Sequence, residues 1–546
     1  EEEEEEVSGK KKKKNAGAGS SLRVTESALE RWVSEVEKKQ SVKAMKQLVV
    51  AFKVACHSGE DLEGDEEEAG SSIRGKASDR AKFVIDDGET FNKLMVVGLS
   101  QFPLLFHSLF EIEDETTAEA AAEEETEKAP AKKKKTRPVQ SRIAAHPRWK
   151  RLKTFVKSYL SSLLHFLGQT TEPKMTAFVL KQINKPLLAY FANFRVLAKK
   201  LLKLLIHLWS SADETSRIVA FLALRELAMA MPYPFIDLCL KSVYLNFVKN
   251  AKFTNKATLG QITFMNNCVV ELFGLDFKSA YQHAFVYIRL LAMQLRNAIT
   301  HKTKEHVATV YSWQYMHSLS VWTNVLSSYA DQADLQLLVY PLAQVLQGTI
   351  RLQPTLRFYP LRFLCVQLLN TLSRATQVYI PTATFLLEVL SHPDMKKRLP
   401  RSSGKPVDWN CTLHVPQQLS KSKTYIDGAV QRATELLLEW FAIRSYSIAF
   451  PELIVPAVVA LKRFAKACKD PTSTKEVKQL LAQLENNANY VKTMRAKVDY
   501  SPKDVEQVDS FLDAAQQKNA APLAKYYAKY VEMKAEQLKR DKNPFE

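Results

Sequence analysis

After residue 98 the chain has only six glycines, Gly168, Gly260, Gly274, Gly348, Gly404 and Gly428, for its final 448 residues. Doubly wound sheets and β-barrels need glycine at tight turns and where backbone meets phosphate. A chain this poor in glycine is expected to be helical. The apolar spacing agrees. Leu361, Leu364, Cys365, Leu368, Leu369 and Leu372 recur at the i, i+3, i+4, i+7 interval of one buried helical face. Leu197, Leu201, Leu204, Leu205 and Leu208 repeat it, with Lys199, Lys200 and Lys203 opposite. Tyr311, Tyr315, Leu319, Trp322 and Leu326 form a third stripe, whose aromatics read as core. Convincing strand alternation is absent.

Proline punctuates these runs. YPLAQVL from Tyr340, YPLRFLCVQLL from Tyr359, IPTATFLLEVL from Ile380 and FPELIVPAVVAL from Phe450 share one form. An aromatic or aliphatic residue precedes proline, and an apolar helix follows. Proline at the first helical position forfeits no hydrogen bond, while the residue before it is pushed out of the α region. The first and third of these runs start 40 residues apart, near the length of a two-helix HEAT or armadillo unit. The expected fold is all-α: an irregular α-solenoid of HEAT/armadillo-like helical pairs.

Charge is distributed unevenly. Residues 1–137 hold 23 basic and 30 acidic side chains, and the remaining 409 residues hold 54 and 29, a net of +25. So basic a body favours an acidic partner, with nucleic acid foremost. EEEEEEVSGKKKKK at 1–14, GEDLEGDEEEAG at 59–70 and the acidic-then-basic stretch at 111–137 read as solvated charge blocks. KKKKK and KKKKTR also suit nuclear import or RNA contact. No run is apolar enough to span a membrane, and the start does not read as a signal peptide. Lacking an initiator methionine, the sequence reads as trimmed or partial. Cys56, Cys239, Cys268, Cys365, Cys411 and Cys468 are scattered, as expected of reduced core thiols. The expected organisation is a charged tail at 1–20, an N-terminal helical segment at 21–110, a linker at 111–137, a helical-repeat body at 138–470 and a helical extension at 471–546.

Catalytic patterns find no anchor. SSGKP around Lys405 has Leu399 where a phosphate loop needs its first glycine, and Pro406 where it needs Ser or Thr. Asp408, Cys411 and His414 lack the spacing of a zinc site. His301 and His306 lie among Lys302 and Lys304 and belong with a basic surface; His207 shares the lysine face of its helix. No catalytic, cofactor or metal residues are expected. Cations and aromatics interleave instead in KRLKTFVKSYL (150–160), MKKRLPRSSGK (395–405) and AKYYAKYVEMKAEQLKR (524–540). The second supplies Lys396, Lys397, Arg398, Arg401 and Lys405 as phosphate contacts. The third supplies Tyr526, Tyr527 and Tyr530, on a face suited either to stacking bases or to docking on a protein. In RLQPTLRFYPLRF (351–363), Arg351 closes a helix, Arg357 lies in a connection and Arg362 occupies a first helical turn. There a cation is unfavourable unless a carboxylate or a phosphate answers it.

IRLQPTLRFYPLRFLCVQLLNTLSRATQVYIPTATFLLEVL (350–390) closely resembles the signature of the nucleolar complex protein 2 family. NCVVELFGLDFKSAYQHAFVYIRLLAMQLRNAI (267–299), VYSWQYMHSLSVWTNVLS (310–327) and SIAFPELIVPAVVALKRF (447–464) resemble further blocks of it. Weaker similarity covers 29–55, 83–103 and 207–228. The resemblance implies a non-catalytic scaffold in assembly of the large (60S) ribosomal subunit, in the nucleolus and nucleoplasm. It implies pairing with another helical-repeat protein, nucleolar complex protein 1 or nucleolar complex protein 3. It also implies association with pre-60S particles, pre-rRNA and ribosomal proteins, and no cofactor. Arg351, Pro354, Arg357, Pro360, Arg362 and Arg374 match the signature. A helical-repeat nuclear transport receptor is the alternative, disfavoured because a receptor for basic cargo needs an acidic inner surface.

Overall fold

The computed structural model describes residues 22–57, 83–84, 87–110, 139–400, 405–499, 501 and 503–542. The charge blocks at 1–14, 59–70 and 111–137 and the candidate Arg401 lie outside these. The described residues form an all-α irregular solenoid of paired helices. The strands among them are two residues each: β1 (Leu22–Arg23) lies parallel to β2 (Phe83–Val84), with Leu22 opposite Phe83.

The chain divides into two compact units, Glu1–Cys239 and Leu240–Glu546. The first holds α1 (Glu26–Lys39), α2 (Val42–Cys56), α3 (Gly88–Val96), α4 (Phe102–Leu109), α5 (Val139–Ala145), α6 (Trp149–Gln169), α7 (Pro173–Gln182), α8 (Leu188–Ala192), α9 (Arg195–Ser211) and α10 (Glu214–Ala230). α11 (Phe235–Asn250) spans the division. The second continues through α12 (Lys256–Phe273), α13 (Phe277–His301), α14 (Lys304–Val310), α15 (Trp313–Ser328), α16 (Ala333–Gln336), α17 (Val339–Leu352), α18 (Tyr359–Thr376) and α19 (Ala383–Ser391). It ends with α20 (Lys423–Ile443), α21 (Phe450–Leu453), α22 (Val455–Ala467), α23 (Pro471–Arg495), α24 (Val505–Asp509), α25 (Asp513–Gln517) and α26 (Pro522–Lys542).

In the first unit α1 packs on α2, α2 on α6, α6 on α9 and α9 on α10. Its core is aromatic: Tyr159 lies 5.2 Å from Phe102, 5.4 Å from Phe52 and 5.5 Å from Phe106 between ring centroids. The π-turn Val97–Gln101 between α3 and α4 presents the Gly98 carbonyl, which accepts from the buried Tyr159 hydroxyl at 2.9 Å. A Cβ at Gly98 would stand 2.2 Å from the Phe52 ring, so only glycine fits beneath it.

In the second unit α15 and α17 pack on α18, α19 on α20, α22 on α23, and α26 on α20 and α23. Of the three apolar stripes read from spacing, one in the first unit and two in the second, Leu197, Leu201, Leu205, Tyr311, Tyr315, Leu319, Trp322, Leu326, Leu361, Cys365, Leu369 and Leu372 are buried, while Leu204, Leu208, Leu364 and Leu368 are half-buried. Helix starts carry side-chain caps: Asn255 and Thr258 form a reciprocal capping box on α12, and Ser312, Ser422 and Asp470 cap α15, α20 and α23. α1, α13 and α18 end on Gln40, Lys302 and Gln377, all with positive φ and none a glycine. Glycine scarcity therefore did not prevent left-handed helix ends.

The prolines require a correction. The sequence pattern places them at the first helical position, but Pro360, Pro451 and Pro456 occupy the second of α18, α21 and α22. Pro341 is the third residue of α17, and Pro381 precedes α19. The first four amides of a helix have no intrahelical acceptor, so proline is tolerated throughout that turn.

His317, on α15, is mostly buried between Trp313 and Phe247, and its Nε2 is 2.7 Å from the Thr254 hydroxyl. Burial pushes its pKa down to about 4, from an ordinary 6.5. The unfolded chain thus takes up a proton before the folded one does. His317 contributes stability that is complete above about pH 6.5 and is lost as pH falls toward 4. We expect His317→Gln to remove about 2–3 kcal/mol of pH-dependent stability over that interval, measured as the difference between parent and variant unfolding curves.

Candidate interaction surfaces

The arginines of the 351–363 stretch and Arg374 have different fates. Arg362, buried on α18 at 3 % exposure, donates to the Phe385 carbonyl at 3.3 Å and to Glu388 Oε2 at 3.1 Å. Its guanidinium also lies over the Tyr359 ring. A cation in the first turn of α18 is thereby answered by a carboxylate and carbonyl of α19. Arg351, exposed in the last turn of α17, lies over Phe385 at 5.4 Å. Arg357 is exposed in the 3-10 turn Leu356–Phe358, and its Nε donates to the Val415 carbonyl at 3.1 Å. Arg374 meets Glu439 and lies over the Tyr527 ring, 6.0 Å from its centroid.

The C-terminal tyrosines face inward more than outward. Tyr527 receives a 3.4 Å hydrogen bond from Arg374, and Tyr530 donates to Glu435 Oε1 at 2.8 Å, where Lys534 also pairs. Tyr526 is half-buried beside them. These contacts fasten α26 to α18 and α20. Lys396 donates to the Ser391 carbonyl and Lys397 pairs with Asp394 at 2.6 Å, while Arg398 and Lys405 are exposed.

The first unit carries further exposed cations. α6 and α9 pack together, and neither contains an acidic residue. From Trp149 to Ser211, eleven lysines and arginines stand against one carboxylate, Glu172. Lys150, Arg151, Lys153 and Lys157 on α6 are exposed, as are Arg195, Lys199, Lys200 and Lys203 on α9. KRLKTFVKSYL reads as basic from sequence, whereas the lysines of α9 read only as the polar side of a helix. The signal that joins the two segments is the missing acid across both.

Among the described residues no group of three or more His, Cys, Asp or Glu side chains is placed to hold a metal ion, and no helix is long and apolar enough to cross a membrane. Burial pushes the Cys239 thiol up to about 12, a value that disfavours a nucleophilic thiolate.

Paired helices, side chains committed to packing and cations left facing solvent define a structural class: an all-helical protein of irregular helix pairs. A profile of the Noc2p family matches residues 234–530, and the chain belongs to that family. It is 33% identical over 514 residues to nucleolar complex-associated protein 2 of Arabidopsis thaliana, covering 94% of this chain and 63% of the relative. It is 34% identical over 388 residues to nucleolar complex protein 2 of Drosophila melanogaster, covering 71% of this chain and 50% of that protein. An uncharacterized NOC2 family protein of Schizosaccharomyces pombe is 30% identical over 496 residues, covering 89% of this chain and 65% of its own length. The chain thus spans between half and two thirds of these relatives.

Proposed function

We propose that this chain is a non-catalytic scaffold in large (60S) ribosomal subunit biogenesis, working in the nucleolus and nucleoplasm. It holds pre-rRNA and pre-60S particles through phosphate contacts. It pairs with a second helical-repeat protein, nucleolar complex protein 1 or nucleolar complex protein 3. Membership of the Noc2p family supports the setting. The observation that carries the RNA half of this reading is the acid-free exposed face of α6 and α9. Lysines on a rigid helical pair can follow a phosphate backbone without reading bases, which suits a scaffold for folded precursor RNA. Arg351, Arg357, Lys397, Arg398 and Lys405 supply exposed cations on the second unit as further contacts.

The test is a salt titration. Six phosphate contacts on single-stranded RNA release enough counterions to lower affinity on the order of 10²–10³-fold between 50 and 200 mM salt. Anisotropy of a labelled pre-rRNA fragment should show that fall. Association with the paired helical-repeat protein should persist across the same range, because such interfaces are largely apolar at their centres. RNA binding indifferent to salt would remove the electrostatic basis of the reading.

A further inference from the structure

The second unit carries an apolar groove that its own helices do not fill. It runs between α13 and α17, with a volume of about 540 Å³. Gly348 on α17 brings the two helices close: a Cβ there would stand 2.7 Å from Leu295 Cδ2. The walls are Phe285 and Ile299 from α13 and Tyr340 and Pro341 from α17. Phe285 is 47% exposed, Ile299 48% and Tyr340 72%, an arrangement of large apolar groups in solvent that marks a docking surface.

Two arginines fix the chemistry of the occupant. Arg289 and Arg296 line the same groove, both exposed, and neither makes an ion pair among the described residues. At 100° per residue, Phe285, Arg289, Arg296 and Ile299 fall within one narrow arc of α13, and the arginines stand two turns apart, about 10.5 Å. No Asp or Glu occurs from Phe277 to Lys304, or from Leu335 to Leu387, so neither wall supplies a carboxylate to these cations. An apolar floor bracketed by unpaired guanidinium groups is complementary to an amphipathic helix with apolar residues on one face and carboxylates flanking them.

We propose that the α13–α17 groove binds an acidic amphipathic helix of a partner protein, about four turns long. This rests on the scaffold reading and adds the chemistry of one protein contact to it. The arginines do not belong to α6 or α9, so the contact is separable from phosphate binding. Nucleic acid is the weaker fit: the wall between the arginines is aliphatic and offers a phosphate backbone no further cation.

The experiment places a photo-crosslinking phenylalanine analogue at position 340 of the full chain, in cells, and sequences the crosslinked peptide by mass spectrometry. The expected product is a segment of another protein with apolar residues at helical spacing and Asp or Glu about seven positions apart. Its yield should fall at least tenfold in Arg289→Glu/Arg296→Glu and less in the double glutamine variant. Charge reversal at the segment's carboxylates should restore it. The same arginine variant should bind the pre-rRNA fragment with unchanged affinity and salt slope, so failure here is distinct from failure of the RNA reading. Crosslinks to RNA, to lipid, to a second copy of this chain or to a segment without carboxylates would overturn the proposal. So would absence of any crosslink, or a yield indifferent to the arginines.

Discussion

Replacing Lys150, Lys153, Lys157, Lys199, Lys200 and Lys203 together by glutamate is expected to weaken RNA binding on the order of 10³-fold near 100 mM salt, and to flatten its salt dependence by about four units of slope. All six side chains are exposed on α6 and α9. The loss comes from two sources. Six counterion-releasing contacts disappear, and six negative charges then face the phosphates. Exposed substitutions away from packing usually change stability by about 0.5 kcal/mol or less each, so the variant should retain its helical content. Anisotropy with the labelled pre-rRNA fragment, beside circular dichroism, separates the two effects. Affinity within threefold of the parent would place RNA contact elsewhere on the chain.

Trp322→Ala is expected to remove about 3–5 kcal/mol from the second unit, as deletion of a large buried aromatic side chain does. Trp322 is fully buried on α15, with Tyr244 and Phe273 each 5.1 Å away and Tyr287 at 5.8 Å between ring centroids. Its Nε1 donates to the Tyr244 hydroxyl at 3.3 Å. Alanine leaves a cavity where elements α11, α12, α13 and α15 meet, and it takes away that donor. Trp322→Phe keeps most of the ring contact and should cost less, about 1–2 kcal/mol. Because the chain has two compact units, a global melting temperature mixes their responses. Hydrogen exchange of the α15 amides gives the cleaner measure, and protection unchanged in the alanine variant would show that the cluster can collapse around the deletion.

Much of this fold was legible because helices are local. Leu361, Cys365, Leu369 and Leu372 repeat at a spacing that only one face of a helix satisfies, and all four are buried. Proline placement was legible to within one or two residues and no closer, because every amide of the first turn is equally free of a partner. The tyrosines of α26 were not resolved by spacing. Whether they stack on a ligand or on the chain depends on Arg374 and Glu435, which lie 153 positions before Tyr527 and 95 before Tyr530. The cationic surface was half legible: basic KRLKTFVKSYL stands out by itself, while its union with the α9 lysines needs the packing of α6 on α9.

By itself the sequence determined that the chain is helical, where apolar faces repeat, that its body is cationic, and which family signature it carries. These follow from short-range periodicity, backbone preference and composition, which need no neighbour to be read. Only the tertiary structure decided which cations are consumed and which stay free. Arg362 finds Glu388 on the next helix, whereas Arg289 and Arg296 line a groove whose walls carry no acid. A charge is neutralised by what lies within a few ångströms of it, and that distance is set by how helices stack, not by their order along the chain.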